Sequence, residues 1–313
     1  MKRNAPERAF TTLISISVVP YALVAMLNCA AGLMLARVSQ GSSHVVADPS
    51  AWLALAVLVV LALGAVLGLR SLFRQLHATV AIERRVRLLS VAVPPDLAVA
   101  ARTAGLAGRL DLVEATSPYG FTYGMFRPRV VVSTSFVGSL TATELAALLA
   151  HERYHVRHRD PLKVVISRAA RATAFFLPAV SLLHDRYLVG RELSADQRAV
   201  RHVGRRALVG ALCKAATPPG WDELPAAAAM RENHALEARI IQLETGVEPT
   251  LGPIPNRALA CTVVPLIGIA IVLTVTAAQT AGAMCVLCAS ACSLGWLAPI
   301  ALRRSRRRLS LRP

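Results

Sequence analysis

His151-Glu152-Arg153-Tyr154-His155 brings two imidazoles and a carboxylate together within one turn of chain. The run around it, from about Ala142 to Arg157, reads as helix, and at about 3.6 residues per turn positions i and i+4 share a face. Both histidines can therefore reach one Zn²⁺, with Glu152 beside the metal's open position, where a base for an attacking water would stand. That spacing is the geometry of a zinc peptidase. The same five-residue pattern also recurs where no metal binds, so the elements that carry it have to decide.

The helix start is marked by Thr141-Ala142-Thr143-Glu144, which has the S/T-x-x-E spacing of a capping box. Leu145, Leu148 and Leu149 form its apolar stripe, and that stripe continues toward His151, Glu152 and His155, leaving Arg153 and Arg157 on other faces. Arg157, His158 and Arg159 place positive charge in the last turn, and Asp160-Pro161 opens the next helix with Asp as cap and Pro at its first position. His158 is off the geometry needed to bind the same ion as both other histidines. A zinc peptidase site needs a third protein ligand, and Glu192 is the candidate. Glu192 and Asp196 are again i and i+4, on a helix expected over about Ser181 to Arg201, so one carboxylate can bind the metal while the other orients a ligating His from outside. A solvated helix face is the alternative for this pair.

Upstream, Pro94 to Leu110 reads as a short helix beginning near Asp96 and ending around Gly105 or Gly108. Leu112 to Ala115 and Arg129 to Ser133 are strand candidates, the second a β-branched run behind Pro128. Between them Tyr119-Gly120-Phe121-Thr122-Tyr123-Gly124 predicts a hairpin or an edge strand. An edge strand near a metal site can bind an extended peptide by main-chain pairing; an ordinary packed hairpin is the alternative. Leu162 to Leu183 is too short in its apolar part to cross a membrane, and is expected along the inner leaflet or against other spans. Thr217 to Met230 reads as a loop, a plain connection or a gate, and Val247 to Asn256 as a linker rich in Pro and Gly.

The 313 residues are 55% hydrophobic and only 17% charged, and the apolar residues fall in blocks. Phe10 to Ala36 and Pro49 to Leu69 are free of charge and long enough to cross a hydrocarbon core of about 30 Å. Ala258 to Leu302 is about twice that length and predicts a helical hairpin turning near Gln279, Thr280 and Gly282. Arginines and lysines flank these blocks on one side: Lys2, Arg3 and Arg8, then Arg70 to Arg87, then Arg257, then Arg303 to Arg308. The connection Arg37 to Asp48 has little charge, so four crossings are predicted, with both termini and the intervening domain cytoplasmic. The net charge of +17 is explained by topology and contact with anionic headgroups, and nucleic-acid binding is not expected. Cys285, Cys288 and Cys292 share a helix face and read as small packing residues, and Cys29 does not follow the small residue of a lipoprotein processing site. The expected domains are 1–80, an N-terminal pair of transmembrane helices; 81–256, the catalytic domain; and 257–313, a C-terminal hairpin with a basic tail.

His151-Glu152-Arg153-Tyr154-His155, the trailing Asp160, and Glu192 with Asp196 in an E-x-x-x-D arrangement resemble the membrane metallopeptidases typified by the beta-lactam sensor-transducers of the BlaR/MecR type. Phe126 to Ser133, Phe175-Phe176-Leu177-Pro178 and Ala235 to Ile240 resemble further stretches of that family, and the likeness runs over about Ala98 to Leu243. It implies a mainly α membrane protein: four transmembrane helices plus a cytoplasmic gluzincin-like α+β zinc-protease domain with a small β-sheet. It further implies one Zn²⁺ per chain on His151, His155 and Glu192, with Glu152 as general base and Asp196 and Asp160 as outer-shell partners. The implied partners are the lipid bilayer and a protein or peptide substrate, such as a winged-helix repressor cut in regulatory proteolysis.

Two features depart from the archetype. No penicillin-binding domain is expected after the last span, and neither Ser-x-x-Lys nor Lys-Thr-Gly occurs, so beta-lactam sensing is not supported. Tyr187 and His184 are candidates to assist in binding an oxyanion. The alternatives are a quality-control peptidase of the CAAX-protease or heat-shock type and a non-catalytic membrane scaffold.

Overall fold

The computed structural model describes residues 5–19, 22, 49–215, 233–250 and 252–272. These divide into two compact units, one within Met1–Ser17 and Leu63–Thr262, the other within Val18–Ala62 and Val263–Pro313. In chain order the elements are α1 (residues 5–19), α2 (Pro49–Leu89), β1 (Ser90–Val91), α3 (Pro95–Thr103), β2 (Leu110–Val113), β3 (Gly120–Tyr123), β4 (Arg129–Ser133) and α4 (Thr134–Ser139). There follow α5 (Ala142–His158), α6 (Asp160–Thr173), α7 (Pro178–Val203), α8 (Arg205–Lys214), α9 (Asn233–Thr245) and α10 (Asn256–Val272).

The four strands form one mixed sheet in the order β1-β2-β4-β3. Its centre is β4, whose Val130-Val131-Val132 run suits a pleated surface buried on both sides. It pairs parallel with β2, Leu110 opposite Val130, and antiparallel with β3, Phe121 opposite Val131. One face, carrying Val130 and Val132, packs with Leu97, Phe136, Leu148 and Leu149. The other, carrying Val131, Phe121 and Tyr123, packs with Ile82 and Val86 of α2. The alternation of β4 thus sends its valines into two separate cores, one under α5 and one under the end of α2.

Helix α3 ends at Thr103, and Gly105 follows at φ 72 with Leu106 N–H donating to the Ala101 carbonyl. A Cβ at Gly105 would stand 3.0 Å from the Arg153 guanidinium carbon, so both backbone sign and space favour glycine. The strands lie where the pattern places them, β4 at the expected residues and β2 two residues earlier. Helix α7 begins at Pro178, three residues before the expected start, because Pro suits the first helical position.

One expectation for the end of α5 is corrected. Arg159, at φ 52, is the residue between α5 and α6, and Asp160 is already inside α6. Its carboxylate does not cap that helix; it turns inward to His155 Nδ1 at 2.6 Å.

Among the described residues one helix is long and apolar enough to cross a membrane, Leu55–Leu89 within α2; α10 is a shorter apolar helix. Helix α2 runs 41 residues, well past the charge-free Pro49 to Leu69, so its polar second half extends beyond the apolar part. Leu162 to Leu183 resolves into α6, a turn and the start of α7. Here α6 rests on α2: Gln75 Nε2 donates to the Val165 carbonyl at 3.3 Å, and Gly68 faces Thr173. Helix α1 docks on the same domain through Phe10 against Tyr187, ring centroids 5.3 Å apart, and Glu7 paired with Lys163. Most of the expected first span beyond residue 19, the turn near Gln279, the cysteines at 29, 285, 288 and 292, the loop Thr217 to Met230 and the arginine-rich tail lie outside the described residues.

Candidate metal centre

The capping box predicted for α5 is formed. Thr141 Oγ1 accepts from Glu144 N–H at 3.3 Å, and Glu144 Oε2 accepts from Thr141 N–H at 2.7 Å. The cap sets the start of the helix and therefore the rotation at which its later residues emerge. Ala147 and Ala150 of α5 meet Ala199 and Leu208 in one apolar cluster; small side chains let α5 and α7 approach closely. The result is that His151, Glu152 and His155 on α5 and Glu192 on α7 face each other, all 6% exposed or less.

His151 Nε2 and His155 Nε2 are 3.1 Å apart. Glu192 Oε2 is 3.5 Å from the first, and its Oε1 is 3.8 Å from the second. Ligands at about 2.0–2.2 Å from a tetrahedral ion stand about 3.3–3.6 Å from one another, so this triangle fits a metal ion. The tautomers point the same way. His155 Nδ1 holds its proton toward Asp160 Oδ2 at 2.6 Å, and His151 Nδ1 is 2.9 Å from Asp196 Oδ1, although off the N–H axis. With protons on both Nδ1 atoms the two Nε2 lone pairs face each other, an arrangement that a cation between them stabilises.

Charge makes the same demand. The carboxylates of Glu152, Asp160, Glu192 and Asp196 are all buried, and two guanidinium groups accompany them. Arg239 pairs with Asp196 through Nε at 2.7 Å and Nη2 at 2.8 Å, and Arg191 lies 3.1 Å from Glu192 Oε1. Four negative charges against two positive ones leave a deficit that a dication fills. In the cation's place the side chains would recruit a proton. Burial opposes charge on His151, yet the Asp196 and Glu192 carboxylates outweigh it and push the imidazole up to about 10. Burial likewise favours a neutral Glu192, but the neighbouring His155, Arg191 and Arg239 hold it well below the usual carboxylate range.

Glu152 is held by the sheet. Thr122 Oγ1 on β3 donates to Glu152 Oε2 at 2.6 Å. Both readings of Tyr119 to Gly124 hold: β3 pairs antiparallel with the next strand, β4, as a hairpin and ends the sheet, and Gly120 to Gly124 line a cavity of about 100 Å³ together with the two histidines, Glu152 and Glu192. Tyr119 accepts from Ser133 N–H, which sets the antiparallel alternation so that the main-chain groups of Gly120 and Thr122 point away from β4.

The residues expected around the ion are thus brought together: His151, His155, Glu192, Glu152, Asp196 and Asp160. Those weighed as oxyanion partners are not. His184 bonds to Ser167 at 3.1 Å, Tyr187 packs on Phe10, and neither lines the cavity. His158 stacks on Tyr154 with centroids 4.0 Å apart. Sequence reasoning missed Thr122, Arg191 and Arg239. Arg239 sat within the Ala235 to Ile240 stretch of the resemblance, and a basic residue there is the counter-charge that two buried carboxylates on α7 require.

A family model described as BlaR1 peptidase M56 matches residues 14–243, a span that contains every residue of the site. No curated protein matches the chain.

Proposed function

The chain belongs to the BlaR1 peptidase M56 family, and from that membership we propose that it is an integral-membrane zinc-dependent endopeptidase. It cleaves a cytoplasmic or juxtamembrane protein substrate in regulatory proteolysis, such as the inactivation of a winged-helix repressor. The observation that carries this reading is the buried group His151, His155 and Glu192, whose ligand atoms all lie within 4.8 Å of one another.

His151, His155 and Glu192 hold the ion, the His₂Glu donor set of catalytic zinc sites. Zinc, when bound, supplies Lewis acidity to a water and to a scissile carbonyl. Glu152 takes the proton of that water through the oxygen not engaged by Thr122, then returns it to the leaving amine. The outward main-chain groups of Gly120 and Thr122 pair with an extended substrate and lay its backbone beside Glu152. At about 100 Å³ the cavity is smaller than the roughly 300–1,000 Å³ of ligand pockets, so peptide entry widens the gap between β3 and its surroundings. Four crossings with both termini and the peptidase domain in the cytoplasm complete the picture, supported by the arginines that flank the apolar blocks.

The test uses purified full-length protein in nanodiscs. Wild type and Glu152→Gln should each bind one equivalent of zinc by elemental analysis, with cleavage of a cytoplasmic substrate captured by the Glu152→Gln form lost in that variant. Zinc-free wild type, or retained cleavage by Glu152→Gln, overturns the assignment.

A further inference from the structure

Helices α5 and α7 bound a second cavity, of about 470 Å³, that shares no residue with the metal centre. Its walls are basic. Arg153 and Arg157 come from α5, Arg198 and Arg201 from α7, and His158 and His202 lie beside them. Spacings of four and three residues put each arginine pair on one helix face, so two basic stripes confront one another. Like charges at such spacing destabilise when nothing compensates them.

Compensation is scarce among the described residues. Arg129, Arg171 and Arg239 of the same domain are paired with carboxylates, Asp111, Asp185 and Asp196. None of Arg153, Arg157, Arg198 and Arg201 makes a hydrogen bond or ion pair with another described residue. Among the described residues a single carboxylate, Glu248, reaches the cavity. Tyr154 and Ser194 add hydroxyls to the same walls. A space of about 470 Å³ bordered by these arginines suits an anion larger than one phosphate, because a guanidinium fork can bind two oxygens of a phosphate at once; the Arg153 guanidinium reaches it from beside Gly105.

We propose that this cavity is a binding site for a ligand carrying clustered phosphate groups, either the headgroup of an anionic phospholipid or a soluble pyrophosphate-type ester. The position of α1 bears on the source. Its first described residues, Ala5 and Pro6, line the cavity, and its sequence turns apolar from Phe10. The cavity therefore opens at the level where α1 would leave water for hydrocarbon, which is where lipid phosphates lie. The lipid source rests on the membrane placement under Proposed function, whereas the soluble source does not.

The test compares wild type with the double variant Arg198→Gln/Arg201→Gln. Both positions are exposed and on the far side of α7 from Glu192's ligand contacts, and one equivalent of bound zinc reports that the variant is folded. In one arm, native mass spectrometry counts anionic phospholipid retained by full-length protein released from mixed nanodiscs. In the other, equilibrium dialysis measures labelled inorganic pyrophosphate binding to protein in zwitterionic nanodiscs. At about 1 kcal/mol per arginine, affinity in the arm that holds the true ligand should fall about 30-fold in the double variant. Arg102→Gln, an exposed arginine on α3, should leave it unchanged. Equal binding by wild type and the double variant in both arms overturns the proposal, as does binding of a polyglutamate peptide with no response in either phosphate arm. Zinc content and cleavage are read separately, so failure here is distinct from failure of the peptidase assignment.

Discussion

Glu152 and the residues that touch it divide into those that hold charge and those that aim it. Thr122 belongs to the second kind: its hydroxyl fixes one oxygen of Glu152 at 2.6 Å without touching a metal-ligand atom. Thr122→Val keeps the β-branched shape of β3 and removes that bond. Cleavage should fall about tenfold, the equivalent of about 1.4 kcal/mol, with zinc content unchanged; a parallel loss of zinc would show that the threonine acts on the fold instead. Asp196, 0% exposed, sits between His151 Nδ1 and Arg239. Asp196→Asn should weaken zinc binding by about 10- to 100-fold, measured by competition with a chelator, while bound zinc still supports cleavage. The candidate ligands were legible in the sequence because helical periodicity groups them: His151 and His155 at i and i+4 within α5, and Glu192 with its neighbour Asp196 at the same spacing within α7. Thr122 and Arg239 were not legible in those roles, since each meets its partner only after a strand and a distant helix have folded onto α5 and α7.

At the level of elements, α5 is the piece on which most depends, and its start was readable to the residue. Thr141→Ala should cost about 1 kcal/mol of stability, seen as a lower unfolding temperature at unchanged zinc stoichiometry. Helix α7 carries a pH dependence of its own. His184 is 2% exposed; burial, then the charges of Arg171, Arg168 and Arg191, hold its imidazole down to about 3 from 6.5. Ser167 gives its proton to the Val164 carbonyl at 3.0 Å, so His184 donates from Nδ1 to Ser167 as a neutral ring. Between those two values the unfolded chain takes up a proton that the folded chain refuses. Stability is therefore full above about pH 6.5 and declines as pH falls toward 3. His184→Asn, which can still donate to Ser167, should show a shallower fall in unfolding temperature between about pH 7 and pH 5 than wild type. A slope equal to that of wild type would mean the ring is protonated in the fold.

For the molecule as a whole, the strong positive charge and the apolar blocks belong to one design in the proposed topology, with arginine on the side where the peptidase domain lies. Cys213, exposed on α8, reports that side. A membrane-impermeant maleimide should modify Cys213, mapped by peptide mass spectrometry, in inside-out membrane vesicles and leave it unmodified in right-side-out ones. The reverse pattern would turn the domain outward and remove a cytoplasmic repressor as substrate. Among the described residues a single helix, within α2, has the length and apolarity to cross, so the count of spans rests on hydropathy and charge.

The amino-acid sequence by itself determined what short-range periodicity controls: the capped helix with its two histidines and glutamate, the paired carboxylates one turn apart on α7, the β-branched strand behind Pro128, and membership of a peptidase family. Tertiary structure decided what depends on residues far apart in the chain. It put the hairpin strand Gly120 to Tyr123 at the sheet edge beside Glu152, gave Asp160 to His155 rather than to a helix cap, and supplied Arg239 as counter-charge to α7. It also turned the arginines of α5 and α7 toward a common cavity. Spacing along a helix fixes which side chains share a face; only packing decides what that face meets.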